Sequence, residues 1–267
     1  MPALKDHQSS ITTKILLIGN SGSGKTGALA SLAGAGYNLR IMDLDNGVDI
    51  LANILRDKTK YPPEALDRVA FETITDPMRN MGGKLVPKSA TVWQRATKLL
   101  DNWKTETEDF GPVQKWTPKE VLVIDSLTFI SAAALNLILA INGRLGQRPH
   151  QSDWMDGQTL IEGLLAYLYD DSVNCNVIVN SHVTFIGDEG NTIGYPSTLG
   201  KALPPKVGRY FNNTLIVKTQ GQGQMVKRKI LTNPSGVIEA KNSNPSKVKA
   251  EYDLATGLAE YFKDVRS

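Results

Sequence analysis

The chain has 267 residues, of which 41% are hydrophobic and 21% charged, and its formal net charge is +3 at pH 7. A chain of this length and composition can bury one substantial α/β core and requires no second large domain. Residues 1–13 lack the apolar segment of a signal peptide, and the longest apolar runs are too short to span a bilayer. We therefore expect a cytoplasmic protein without membrane contact, in which the single Cys175 forms no internal disulfide and is a buried thiol beside a strand.

Strands and helices alternate in the first half of the sequence. In chain order the predicted elements are a strand over 14–19, a helix to about 35, a strand over 39–45 that ends in acids, a helix over 48–56, a strand over 68–74, a Pro/Gly/Met loop over 76–88 and an amphipathic helix over 91–106. A strand, loop, helix and strand in succession indicate the start of a parallel sheet, so the predicted fold class is α/β.

The second half begins in the same way and then changes character. The predicted elements are a strand over 121–126, a helix over 127–141, a polar stretch over 142–156, a helix to about 170 and a strand over 176–180, followed by strands over 214–218 and 225–231, a short strand over 237–240, a loop over 243–249 and a helix over 254–265. The Gly-rich residues 220–223 predict an antiparallel hairpin at the sheet edge. We divide the chain into a core, 1–219, and a basic hairpin and helix, 220–267, that extend the same domain.

Residues 19–26, with the sequence GNSGSGKT, have the spacing of a P-loop between a strand and a helix. Small residues let backbone N–H groups face phosphate oxygens, and the helix directs the positive end of its dipole at the same charge. We expect Lys25 to reach the β- and γ-phosphates of ATP, and Thr26 to bind Mg²⁺ through its hydroxyl. The predicted nucleotide-binding residues are Asn20, Ser21, Gly22, Ser23, Gly24, Lys25, Thr26 and Gly27. An ordinary Gly/Ser-rich turn is the alternative, but all eight positions and both flanks fit the P-loop.

Acids at strand ends supply the next candidates. Asp125 closes an apolar strand about a hundred residues beyond the P-loop, and we expect it to hold Mg²⁺ beside Thr26. Asp45 lies at the C-terminal end of the second predicted strand and could orient the attacking water as a general base. Asp43 is the competing candidate, and a helix N-cap role for Asp45 or Asn46 is a further alternative.

Positive charge is concentrated late in the chain. Residues 201–249 contain ten Lys or Arg and one acid, Glu239, so this segment carries +9 and the remainder −6. Such asymmetry favours a polyanion partner, because cations near phosphates gain from counterion release. The alternative is a solvated, lysine-rich hairpin edge that prevents aggregation.

Together these elements resemble the RecA-type recombinase core, and most closely the short phage-encoded RecA-like proteins of recombination and single-strand annealing. The resemblance covers residues 12–217 and rests on the P-loop, the acid-ended strand 41–45, the Asp125–Ser126 pair and the strand 177–182 with a polar residue at its tip. It implies a RecA-like P-loop NTPase core, with a mostly parallel sheet flanked by helices and a C-terminal antiparallel β-hairpin extension. If the protein is phage-encoded, its cytoplasm is that of a bacterial host.

The resemblance also implies catalytic roles for two residues besides Lys25. The acid after the second strand, a Glu in most family members, activates water, and Asp45 takes its place with a shorter side chain. The residue at the tip of the later strand, commonly Gln in bacterial recombinases, senses the γ-phosphate, and here it is His182. The alternative for His182 is a strand-end histidine satisfied by backbone groups.

Single-stranded DNA is the partner that the resemblance implies. Residues 142–154 resemble the family's first DNA-binding loop in position, and 183–200 the second. Arginines neutralise phosphates and aromatic rings stack on bases, although Trp154 could equally pack against the next helix. The candidate DNA-binding residues are Arg144, Arg148, Trp154, Lys227, Arg228 and Lys229.

Residues 200–211 resemble the family segment that sends cations across a subunit interface to the neighbour's triphosphate. Lys201, Lys206 and Arg209 are the candidates, and contact with solvent or DNA is the alternative for each. The implied assembly is a homo-oligomeric ring or filament, with a single-strand-binding protein as a possible further partner.

The resulting hypothesis is an ATP-hydrolysing, single-stranded-DNA-binding recombination or annealing protein. Two alternatives stay open. An accessory ATPase, such as a helicase loader or motor component, would depend on a protein partner. A small-molecule or nucleotide kinase would use Arg144 and Arg148 as lid arginines and would show no DNA-stimulated hydrolysis.

Overall fold

The computed structural model describes residues 11–105, 107–188, 190–221 and 225–267. Residues 1–10, on which the expectation about a signal peptide partly rests, lie outside the described residues, and so do residues 222–224, which include half of the predicted Gly-rich turn at 220–223. Within the described ranges, no helix is both long enough and apolar enough to cross a membrane.

Strands and helices alternate through most of the chain. The strands are β1 (Lys14–Gly19), β2 (Asn38–Asp43), β3 (Val69–Thr73), β4 (Met78–Met81), β5 (Lys84–Pro87), β6 (Trp103–Lys104), β7 (Asp109–Gly111), β8 (Glu120–Asp125), β9 (Asn176–Ser181), β10 (Val183–Asp188), β11 (Asn191–Pro196), β12 (Asn213–Gln220), β13 (Lys227–Leu231) and β14 (Glu251–Asp253). The helices are α1 (Lys25–Ala28), α2 (Ala30–Gly34), α3 (Val48–Leu55), α4 (Glu64–Asp67), α5 (Val92–Asp101), α6 (Leu127–Ile141), α7 (Gln151–Tyr169), α8 (Pro204–Val207) and α9 (Gly257–Arg266). Short 3-10 helices cover Val113–Lys115 and Gly208–Tyr210.

One sheet of eight strands runs in the order β14-β13-β12-β1-β9-β8-β2-β3. Neighbouring strands from β12 to β3 pair in parallel. Strand β13 pairs antiparallel with both β12 and β14. The predicted fold class is therefore confirmed: a mostly parallel sheet flanked by helices, with antiparallel strands at its C-terminal edge.

Strand β1 lies inside the sheet and contributes to two separate cores. Leu16 and Ile18 pack into the core on one face, with residues of α5, α6 and α7. Ile15 and Leu17 pack into the core on the other face, with residues of α2, α3 and α9. A parallel strand covered by helices on both faces needs apolar residues at every position, which explains the uninterrupted apolar run before the P-loop.

The candidate residues converge at one edge of the sheet. The P-loop follows β1, Asp45 lies two residues beyond β2, Asp125 is the last residue of β8, and His182 directly follows β9. Because these strands are parallel, their carboxyl ends meet at the same edge, where open α/β sheets bind their ligands. The fold thus brings residues from four separate segments into one site.

Two segments predicted to be loops contain β-hairpins instead. Residues 76–88 hold β4 and β5, joined by Gly82 and Gly83 at φ of 60° and 84°. Two consecutive positive φ angles suit a tight hairpin turn, and Gly-Gly is one of the sequences that adopt it. Residues 183–200, predicted as the second DNA loop, hold the antiparallel pair β10 and β11. Polar and glycine residues interrupt the alternation of apolar and polar side chains in both segments, so the sequence pattern did not predict strands there.

Several predicted boundaries also shift. The helix predicted over 91–106 ends at Asp101, because Trp103 lies in β6 with no exposed surface and packs against Trp116 at a ring-centroid distance of 5.7 Å. Helix α7 begins at Gln151, inside the predicted polar stretch. Residues 237–240 take part only in isolated bridges, and β14 was not predicted. Cys175 is buried just before β9, as expected.

Candidate nucleotide-binding site

The P-loop is built by close approaches that require glycine. A Cβ on Gly19 would lie 2.6 Å from Ser23 Oγ and 2.7 Å from Val217 O, and Gly24 has φ of +107°. Lys25 Nζ donates hydrogen bonds to Gly19 O at 2.9 Å and to Asn20 O at 3.0 Å. Burial lowers the pKa of the Lys25 ammonium, and the carboxylates of Asp125 and Asp45 oppose that shift. The amine is therefore held beneath the loop and faces acidic groups.

Thr26 and Asp125 form a direct pair at this edge. Thr26 Oγ1 donates to Asp125 Oδ2 at 2.6 Å. Asp125 is 2% exposed, and burial raises the pKa of its carboxyl, while the bond from Thr26 lowers it. A desolvated carboxylate gains from a nearby cation, and Mg²⁺ prefers oxygen donors such as these two side chains. The donor set fits Mg²⁺, which Thr26 and Asp125 could hold.

Asp45 is bonded through both of its carboxylate oxygens. Ser126 Oγ donates to Asp45 Oδ1 at 2.9 Å, and His182 Nε2 lies 3.2 Å from Asp45 Oδ2. Ser126 follows Asp125 through a cis peptide bond. The ring of His182 thus contacts a carboxylate, which argues against the alternative of a histidine satisfied by backbone groups.

The neighbouring acid, Asp43, serves the backbone instead. It is 1% exposed, and its carboxylate accepts from Gly47 N at 2.9 Å and from Thr73 Oγ1 at 3.1 Å. Helix α3 has Gly47 at its N-cap and no side-chain cap, so the proposed capping by Asp45 or Asn46 is wrong. Asp45 extends past the strand end, where its carboxylate faces the P-loop.

A cavity of about 590 Å³ joins these groups. Its lining includes the predicted residues Ser21, Gly22, Gly24, Lys25, Thr26, Gly27, Asp45, Asp125 and His182. Asn20 and Ser23 belong to the same loop but do not line the cavity, and the Ser23 side chain is buried. The volume falls within the range of small-molecule sites.

The cavity has other walls, formed by residues for which the sequence predicted no role in nucleotide binding. These residues are Gly47, Ile50, Ile54, Phe129, Arg228 and Leu254. Ile50 and Ile54 are four residues apart on α3, a spacing that sequence reasoning attributes to the core. Phe129 lies on α6 and is 47% exposed, an unusual state for a large apolar side chain in a core helix. No local sequence pattern predicts that Arg228 and Leu254 belong to the site, since only the strand pairing brings them to the P-loop.

The candidate DNA residues of the first loop have different environments. Arg144 pairs with the buried Asp153, which also accepts a hydrogen bond from Asn142 Nδ2 at 2.9 Å. Arg148 is exposed. Trp154 packs against the core in a partly buried position, as its alternative interpretation states. Of these three side chains, Arg148 is the one most open to a phosphate.

Three consecutive cations of β13, which were all predicted to bind DNA, have different environments. Lys229 pairs with Glu251 of β14. Lys227 is exposed. Arg228 lines the candidate nucleotide cavity, so its position differs from that expected of a DNA-binding residue. Successive residues of a strand point to opposite faces, which explains the separation.

The three candidates for contact with a neighbouring subunit lie away from the cavity. Lys201 and Arg209 are exposed, and Lys206 Nζ lies 3.8 Å from Glu162 Oε1. None of the three is among the described residues that line the nucleotide cavity. Any action of theirs on a triphosphate would therefore have to be on that of a neighbouring subunit.

No protein-family model matches the sequence, and no curated protein matches it at a significant level. Among solved structures the chain is similar to the RadB recombinase, with 16% identity, a TM-score of 0.48, and coverage of 92% of this chain and 89% of that one. It is also similar to the KaiC-like protein PH0186 from Pyrococcus horikoshii OT3, with 14% identity, a TM-score of 0.44, and coverage of 93% and 88%. The flagellar accessory protein FlaH from Methanocaldococcus jannaschii is similar at 9% identity and a TM-score of 0.42, with coverage of 90% and 83%. These similarities do not assign a family or a function.

Proposed function

We propose that the chain is a Mg²⁺-dependent ATPase of the RecA-like P-loop type. One observation carries the proposal: a single cavity brings together the Lys25 amine, the Thr26–Asp125 pair and the Asp45–His182 pair. Hydrolysis of a triphosphate needs a cation at the phosphates, oxygen ligands for Mg²⁺ and a group that orients the attacking water. Groups of all three kinds line this cavity.

Each side chain then has a distinct role. Lys25 binds the β- and γ-phosphates, and Thr26 and Asp125 would hold Mg²⁺, which neutralises phosphate charge when bound. Asp45 orients the attacking water and accepts its proton. Ser126 and His182 each hold one oxygen of Asp45, which restricts rotation of the carboxylate. His182 lines the cavity beside Asp45, which supports its proposed role as the sensor of the γ-phosphate.

The proposed partner is single-stranded DNA, and the proposed process is phage-type recombination or strand annealing in the cytoplasm. Charge supports this part, because residues 201–249 carry ten Lys or Arg against one acid. Arg148 and Lys227 are exposed, and exposed cations gain from contact with phosphates. We expect DNA to stimulate hydrolysis.

A ring or filament of identical subunits is the proposed assembly. Lys201, Lys206 and Arg209 lie outside the subunit's own cavity, so their proposed target is the triphosphate of a neighbour. A single-strand-binding protein is a further proposed partner on the same DNA.

Of the alternatives, the kinase is the less supported. It needs Arg144 and Arg148 over the phosphates, but neither residue is among those that line the described cavity, and Arg144 is paired with Asp153. An accessory ATPase shares all the nucleotide chemistry and differs in needing a protein partner for turnover.

The test is to measure ATP hydrolysis and particle size, with and without single-stranded DNA. We expect hydrolysis that stops on chelation of Mg²⁺ and rises with DNA, together with a larger assembly when both ATP and DNA are present. A monomer whose turnover ignores DNA would refute the DNA and assembly parts. Phosphate transfer to an added nucleotide, rather than to water, would favour the kinase.

A further inference from the structure

Arg228 lies directly against the P-loop of its own chain. A Cβ added to Gly24 would be 3.1 Å from Arg228 Cδ and 2.6 Å from Leu254 Cδ2. The two residues are held together, because Leu254 N donates to Arg228 O at 3.1 Å, next to the paired residues Lys229 and Asp253. The antiparallel strands β13 and β14 therefore position an arginine at the edge of the nucleotide cavity.

The Arg228 guanidinium has no hydrogen bond or ion pair with any of the described residues. Several other cations of the chain are engaged: Lys229 with Glu251, Arg144 with Asp153, and Arg266 with Tyr37. Arg228 points to the opposite face of β13 from Lys227 and Lys229. It is thus an unpaired planar cation beside a loop that is shaped for phosphate, and it is separated from the cations of its own strand.

The position of Arg228 along the cavity indicates which part of the nucleotide it meets. The cavity continues into a second one of about 640 Å³, and Gly27, Ile54, Arg228 and Leu254 line both. Asp45 and Asp125 line the first cavity and not the second. Arg228 therefore lies on the side of the first cavity that opens into the second, away from Asp45 and Asp125 and so from the reacting γ-phosphate, although Asp57 and Asp253 line the second cavity.

We propose that Arg228 binds the α-phosphate of the nucleotide held by its own subunit. This inference rests on the proposed nucleotide site and deepens it. A guanidinium offers two parallel N–H donors to phosphate oxygens, and it keeps its charge at any physiological pH. The α-phosphate is present in both ATP and ADP and is not transferred during hydrolysis. Arg228 consequently contributes equally to the binding of both nucleotides and little to the chemical step.

The experiment compares three variants of the full chain by calorimetric titration with ADP and with a non-hydrolysable ATP analogue. Arg228→Gln removes both the positive charge and the paired N–H donors of the guanidinium, whereas Arg228→Lys keeps the charge alone. Lys247→Gln is the control, because it removes an exposed charge elsewhere in the C-terminal segment. We expect Arg228→Gln to raise the Kd of both nucleotides about 10- to 100-fold, the loss of one charge-assisted contact. Arg228→Lys should recover part of that loss, and the control should match the wild type.

Steady-state kinetics provide the second measurement. We expect Arg228→Gln to raise KM while kcat at saturating ATP changes much less, since the lost contact is the same in ground and transition states. Circular dichroism and thermal melting check that the variant folds. We expect it to fold, because the Arg228 side chain is exposed.

Three results would overturn the inference. One is unchanged Kd values for both nucleotides in Arg228→Gln. Another is a loss for the ATP analogue but not for ADP, which would place the guanidinium at the γ-phosphate. The third is a defect confined to DNA binding. Lys25→Ala separates this inference from the wider proposal. If Lys25→Ala fails to weaken nucleotide binding, the proposed nucleotide site is wrong. If Lys25→Ala weakens binding but Arg228→Gln binds both nucleotides normally, only the proposed role of Arg228 is refuted.

Discussion

Charged side chains have different environments in the parallel and antiparallel parts of the sheet. At the carboxyl ends of the parallel strands, Lys25, Asp125 and Asp45 are hydrogen-bonded; Lys25 and Asp125 are buried and Asp45 is partly buried. On the antiparallel side, Lys227 is exposed and Lys229 forms an ion pair near the surface. Fixed, desolvated charges stabilise one defined group, whereas exposed charges act over several ångströms and are screened by salt. Removing a charge should therefore impair binding or chemistry at one defined group on the parallel side, and weaken a salt-dependent interaction on the antiparallel side.

The largest expected effect comes from Lys25→Ala, which removes the amine from the parallel side. We expect hydrolysis to fall to background and triphosphate binding to weaken, because the proposed role of Lys25 is to bind the β- and γ-phosphates. Burial lowers the pKa of Lys25, which means that folding disfavours the charged form, and this offsets the loss of the amine's hydrogen bonds to Gly19 O and Asn20 O, so we expect only a small change in melting temperature. Lys247→Ala is the control, and normal turnover by a folded Lys25→Ala protein would contradict the assignment.

Asp45→Asn should affect chemistry more than binding. We expect kcat to fall by about 10²- to 10⁴-fold, the usual contribution of a general base, with the Kd of ATP changed less than about threefold. Stability should change little, because Asp45 caps no helix and asparagine keeps a side-chain oxygen that can accept the hydrogen bond from Ser126.

Asp43→Asn is the matched variant for that measurement. Its carboxylate accepts from Gly47 N and Thr73 Oγ1, so its loss should lower the melting temperature and affect kcat less. The opposite pattern, with turnover lost in Asp43→Asn and kept in Asp45→Asn, would exchange the two roles.

Asp125→Asn should stabilise the nucleotide-free protein while preventing Mg²⁺-dependent turnover. Because burial raises the pKa of Asp125, the folded state binds a proton more readily than the unfolded state. The wild type therefore loses stability from this group as pH rises above its ordinary value near 4, and the variant does not.

Thermal melting across pH tests this sign. The melting temperature of Asp125→Asn relative to wild type should increase between pH 4 and pH 7, where each kcal/mol corresponds to about 2–4 °C. A difference that shrinks as pH rises would show that the ionised carboxylate stabilises the fold.

The smallest expected effect is on DNA binding by the antiparallel side. Lys227→Gln should weaken single-stranded DNA broadly across sequences and reduce the salt slope of binding by about 1, as the loss of one phosphate contact does. Lys229→Gln is the matched variant, and its effect should be smaller because Lys229 is paired with Glu251. Equal losses of DNA affinity in the two variants, or an unchanged salt slope in Lys227→Gln, would contradict a DNA contact by the exposed Lys227.

Sequence predicted the parallel side well because its signals are local. The P-loop, the apolar strand before it and the acid that ends β8 are each contiguous, and their meeting point follows from parallel strand order. Gly82 and Gly83 also formed a hairpin signal between β4 and β5, although the polar and methionine residues around them favoured a loop.

The remaining walls of the site could not be predicted in this way. Arg228 reaches Gly24 only because β13 pairs with β12 and β14, and no pattern around position 228 marks that contact. The sequence-based prediction placed Arg228 with Lys227 and Lys229 among the DNA-binding residues, although alternation along a strand puts Arg228 on the opposite face, and which face meets the P-loop depends on the twist and packing of the whole edge. Phe129 and Ile54 likewise look like core residues until the neighbouring elements are in place.

The central position of β1 has a consequence for synthesis of the chain. Its partners are β9, through Leu17 and Asn180, and β12, through Leu17 and Leu215. At about 5–20 residues per second, a ribosome delivers those partners roughly ten seconds or more after β1 has emerged. Throughout that interval the apolar strand has neither neighbour, and it offers an unpaired edge to other nascent chains. The nucleotide loop therefore takes its shape late in translation, and products truncated before β12 should be the ones that aggregate.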